Sequence, residues 1–89
     1  MTNYHVAIGY AGKVVDFTEI QKLFGSAGWA RYAPNCWIVR TNESAETLVD
    51  RIRKKVSQED SIFICEVNLQ NTSGYLQKEI WDWIKSNKA

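Results

Sequence analysis

The stretch "AIGYAGKVVDF", residues 7–17, decides the fold, because the chain changes its periodicity across it. On its N-terminal side, in "NYHVAIGY" (residues 3–10), Tyr4, Val6, Ile8 and Tyr10 alternate with His5, Ala7 and Gly9, the period of a strand with one bulky face. On its C-terminal side, "DFTEIQKLFGSAG" (residues 16–28) opens with Asp16, has Glu19 in capping-box position, sets Phe17, Ile20, Leu23 and Phe24 on one helical face and stops at Gly25. Gly9-Tyr10-Ala11-Gly12-Lys13 is therefore the corner between a strand and a helix. A phosphate-cradling loop needs four residues between its glycines and a hydroxyl after the lysine. Here two intervene and Val14 follows.

The pattern continues beyond helix one. "WARYAPNCWIVRT" (residues 29–41) holds two β-prone runs around Ala33-Pro34-Asn35, a hairpin signature because proline fixes one dihedral and asparagine tolerates unusual ones. "SAETLVDRIRKKV" (residues 44–56) starts with the capping residue Ser44 and spaces Ala45, Leu48, Val49, Ile52 and Val56 as a helix does. "DSIFICEVNL" (residues 60–69) is again strand-like, with Phe63, Cys65, Val67 and Leu69 expected on its more apolar face. A last helix carries Leu76, Ile80, Trp83 and Ile84 on one face and Trp81 to its side.

The order strand, helix, strand, strand, helix, strand, helix predicts an α+β domain of ferredoxin-like βαββαβ type, a four-stranded antiparallel sheet with two helices on one face. A C-terminal helix is added. All 89 residues make one domain. The second sheet face needs a cover, which only the last helix or a second copy of the chain can supply, so a homodimer is expected.

Composition narrows the function. The net charge of +1 gives no global field for nucleic acid or an anionic membrane. No apolar run is long enough to span a bilayer, and "MTNYHVAIGY" lacks the layout of a signal peptide, which points to a cytoplasmic protein. Cys36 and Cys65 sit in separate apolar runs, as buried reduced thiols do. His5 is the single histidine, so one subunit holds no histidine cluster for a metal and no Ser-His-Asp arrangement. Glu59 and Asp60 read as turn residues, while Glu66 lies inside a strand.

The segments "YHVAIGY" (4–10), "GWARYAPNCWIVRTNESAETLVDRIRKKVSQEDSIFICEV" (28–67) and "GYLQKEIWDWIK" (74–85) resemble the SinR-like proteins of the CRISPR-associated Cas-two-like superfamily, small ferredoxin-like proteins of bacterial and phage genomes. The resemblance implies a dimer with sheets packed face to face. In the nuclease members the first strand ends in Tyr-Asp, and the two subunits' aspartates hold a metal ion. Here the dipeptide is Tyr10-Ala11, and a methyl group cannot ligate a hard cation. No catalytic residue, metal ligand or cofactor is therefore assigned.

Two functions remain. The first is a non-catalytic, homodimeric protein-interaction module, in a setting of bacterial defence or phage counter-defence. Its contacts are expected at Trp81 and Tyr75 in the C-terminal segment and at Trp29, Arg31 and Tyr32 on the hairpin, since amphipathic aromatics and arginine anchor interfaces. The alternative is a nucleic-acid binder or residual metal-dependent endoribonuclease of antitoxin type, with Arg51, Arg53, Lys54 and Lys55 on phosphates. Glu46 and Asp50, at helical spacing, are expected to neutralise part of that cluster.

Overall fold

A computed structural model describes residues 1–88. Its elements are β1 (Thr2–Gly9), α1 (Phe17–Lys22), β2 (Gly28–Ala33), β3 (Cys36–Thr41), α2 (Ala45–Arg53), β4 (Ser61–Glu66) and α3 (Lys78–Asn87). The helices start where their caps demand. Asp16 accepts a hydrogen bond from the Thr18 N–H at 2.8 Å, and Ser44 accepts one from the Thr47 N–H at 3.1 Å, each satisfying a donor that the first turn leaves unpaired. Gly25, at φ +64°, takes the left-handed conformation that ends the turn after α1.

The four strands form one sheet in the order β2-β3-β1-β4, and every neighbouring pair is antiparallel. Register sets what each face buries. Val6 lies opposite Trp37 on β3 and Ile64 on β4, and Ile8 opposite Ile62, so their side chains share the face that α1 and α2 cover. Trp37 is fully buried there, edge-on to Phe24 at 5.7 Å between ring centres, with its Nε1–H donating to Gln21 Oε1 at 3.1 Å. Leu48 and Ile52 bring α2 onto the same core, and truncating either to alanine costs about 2–5 kcal/mol.

α3 lies on the opposite face. Ile80 and Ile84 pack with Ala30, Ile38 and Leu69, and the Trp83 ring passes beside Gly28, 3.8 Å from where a Cβ would stand. The helix end is fastened by Asn3 Nδ2 and Arg40 Nη1, which both donate to the Asn87 carbonyl, at 2.8 and 2.6 Å. A donor and a cation at that end suit the helix dipole. The last helix, then, covers the β2–β3 part of its own sheet.

Four expectations are corrected. On β4 it is Ile62 and Ile64 that pack against the main core; Phe63 points to the other face and is 63% exposed. Leu69 is buried, but beyond the strand, beneath α3. Cys36 and Cys65 are free thiols and only half-buried. Phe17, placed with the core by helical spacing, is exposed instead because it stands at the first position of a short helix.

Candidate functional site

The hairpin residues 29–34 and the C-terminal residues 74–81, forty or more positions apart in sequence, meet at the outer edge of β2. Arg31, Tyr32, Pro34, Tyr75, Leu76 and Trp81 line a groove of about 730 Å³. A second groove of about 380 Å³ continues from it, with Phe17 and Trp29 on one side and Glu79 and Trp83 on the other. Arg31, Gln77 and Ile80 belong to both. The five residues expected to carry protein contacts, Trp81, Tyr75, Trp29, Arg31 and Tyr32, are thereby gathered around one trough.

Each is held differently. Tyr75 stands fully in solvent, in the irregular segment before α3, and Trp29 is 36% exposed on an edge strand. Trp81 and Trp83 are both half-buried against the cluster beneath α3. Both find partial cover because α3 lies along the sheet with its flanks over β2. Arg31 is fixed twice, its Nε–H donating to the Pro34 carbonyl at 3.1 Å and its guanidinium stacked 3.6 Å above the Phe17 ring.

Tyr32 is fixed from below. Its hydroxyl lies 2.5 Å from His5 Nε2. Burial lowers the His5 pKa below its ordinary value, and burial together with the neighbouring Cys36 thiol raises that of Tyr32. The phenol hydroxyl and the imidazole nitrogen thus share one hydrogen bond, and the tautomer of the imidazole sets which of the two donates. Sequence reasoning missed His5, Phe17 and Pro34 as supports, since residue type alone gives no sign of these contacts.

The basic cluster of α2 is partly occupied. Arg51 forms a two-pronged ion pair with Glu43, Nη1 to Oε1 at 2.7 Å and Nη2 to Oε2, and Nη1 also donates to the Leu23 carbonyl. Lys55 pairs with Glu19 at 3.3 Å. Arg53 and Lys54 are exposed. The neutralising partners are Glu43 and Glu19, outside α2, instead of the Glu46 and Asp50 that helical spacing indicated.

At the Gly9–Lys13 corner, one carboxylate is engaged chiefly by the backbone. Asp60 Oδ1 accepts from the Ala11 N–H and Oδ2 from the Ser57 N–H, both at 2.9 Å, and these bonds hold its pKa below the usual carboxylate range. With a methyl group at Ala11 and the Asp60 oxygens so engaged, the residues present do not fit a magnesium site. Among the described residues, no group of three or more His, Cys, Asp or Glu side chains is placed to share a metal ion, and no helix is long and apolar enough to cross a membrane. Scans of protein-family models, curated proteins and solved structures gave no match to this chain.

Proposed function

We propose that this protein is a non-catalytic protein-interaction module that captures its partner through the trough at the β2 edge. The observation that carries the reading is the convergence there of Trp81, Tyr75, Trp29, Tyr32 and Arg31, the residue types that dominate binding energy at interfaces. A rigid scaffold supports it, because Arg31 and Tyr32 are pinned before any partner arrives and lose little freedom on binding.

The order β2-β3-β1-β4 supports reading the fold as a ferredoxin-like plait, since two interleaved strand-helix-strand units place β1 and β3 at the centre. The proposed relationship to the Cas-two-like superfamily, in a non-nuclease branch acting in the cytoplasm in bacterial defence or phage counter-defence, rests on that plait and on the quoted segments. A homodimer is proposed through the part of the second sheet face where Phe63 remains exposed beside Ala7. The nucleic-acid alternative has weaker support, because Arg51 and Lys55 already have carboxylate partners.

The test is capture from a bacterial lysate with the immobilised protein, alongside Tyr75→Ala and Trp81→Ala. Tyr75 is free of intramolecular packing, so its variant must retain the parent's stability while losing partner. Undiminished capture by both variants contradicts the proposal.

A further inference from the structure

The two grooves share an arrangement that a plain surface pocket lacks. Trp29 and Arg31 pair with Val39 and Trp37 and so project to the α1 side of the sheet, whereas Ala30 pairs with Ile38 and projects to the α3 side. Residues of both parities line the second groove, and Arg31 lies beside Tyr32 in the first. The trough therefore straddles the outer edge of β2. That edge has no strand beyond it, because β2 is terminal in the sheet, and alternate residues of β2 turn their N–H and C=O groups outward.

Natural sheets blunt such an edge with charges, prolines, bulges or a covering loop, and the register of β2 shifts between Arg31 and Ala33, which leaves residues 28–31 as its regular stretch. Here aromatic and apolar side chains stand on both of its flanks, Phe17 and Trp29 on one and Leu76, Trp81 and Trp83 on the other. A segment lying along it would satisfy the outward backbone groups and place successive side chains alternately on the two walls.

Charge says what that segment carries. Among the described residues Arg31 is the single charged one lining the larger groove, and it is common to both, so a carboxylate crossing the middle of the trough gains a charge-assisted contact. Glu79 lines only the smaller groove, which disfavours a uniformly acidic ligand and favours a neutral or basic residue at that end.

Building on the interaction-module reading, we infer that the partner presents an extended segment that adds to the β2 edge as a fifth strand, apolar at alternate positions and bearing a carboxylate over Arg31.

The experiment pans a phage-displayed library of random peptides, about ten residues long and so longer than a typical strand, against the full chain. Enriched peptides are then synthesised with and without N-methylation of alternate amides, and their binding is followed by ¹⁵N amide shifts and hydrogen exchange. Expected are sequences with period-two apolar residues and an acidic residue, new exchange protection along β2, and at least a tenfold loss of affinity on N-methylation and in Arg31→Glu. Failure to enrich peptides, equal binding by the methylated forms, or enrichment without acidic residues overturns the inference. If Tyr75-dependent capture of a folded protein persists in that event, the interaction-module reading stands without strand addition; if capture is lost too, both fall.

Discussion

The guanidinium of Arg31 stacks on the ring of Phe17, 3.6 Å from its centre, and so ties the edge strand of the sheet to the first turn of α1. Phe17 lies outside the core because it stands at the first position of a short helix, and the ring face left there serves the arginine. Phe17→Ala should lower stability by only about 0.5–1 kcal/mol, the worth of a surface cation–π contact, yet weaken partner capture by releasing Arg31. Denaturant unfolding and capture on the same variant separate the two effects. A loss of stability without any loss of capture would remove Phe17 from the site.

Gly12, ahead of α1, and Gly25, after it, differ in conformational demand. Gly25 sits at φ +64°, while Gly12 has no atom within 4 Å of where a Cβ would stand and no positive φ. Gly25→Ala should cost about 1 kcal/mol and Gly12→Ala almost nothing, as measured by urea denaturation. A large effect at Gly12 would contradict its role as a plain connection.

Stability should fall with acid in two stages. The His5 pKa is held below 6.5 by burial, so the unfolded chain binds that proton first and stability declines as the pH drops from about 6.5 through the folded value. Asp16, Glu19, Glu43 and Asp60 are all held below their ordinary values, by Thr18, Lys22, Arg51 and the Ala11 N–H respectively. Their contribution is present above about pH 4 and is lost as the pH falls through their depressed values. Thermal melts between neutral and acid pH check both stages. His5→Gln, which keeps a hydrogen-bonding group opposite Tyr32, should remove the upper stage alone.

If a second copy covers the exposed part of the second face, Phe63 lies in that contact. Sedimentation should find the wild-type chain dimeric and Phe63→Glu monomeric, with unchanged circular dichroism. A monomeric wild type, or a dimer unaffected by the substitution, would rule this interface out.

Much of the fold was readable from local pattern. The capping residues Asp16 and Ser44 and the Pro34-Asn35 turn each act within a few residues, and each appears where the sequence places it, whereas α1 ends at Lys22, short of the stop expected at Gly25, which lies in the turn that follows. Strand β4 shows where pattern fails. Ile62, Phe63, Ile64 and Cys65 are apolar on both parities, so alternation cannot say which pair meets the core, and pairing with β1 decides it. The same holds for the site. Aromatic residue types singled out Trp29, Tyr32, Tyr75 and Trp81, but their union depends on α3 folding back over β2, a packing event between distant segments. Arg51 met Glu43 for a similar reason, since a partner ahead of the helix is invisible to helical spacing.

The most direct measurement is the composition of what the wild-type protein retains from a bacterial lysate after a moderate-salt wash. A protein partner in stoichiometric amount is expected, with nucleic acid removed by the salt, because phosphate contacts weaken steeply as counterions are added. Retained RNA or DNA without a protein would contradict the interaction-module reading.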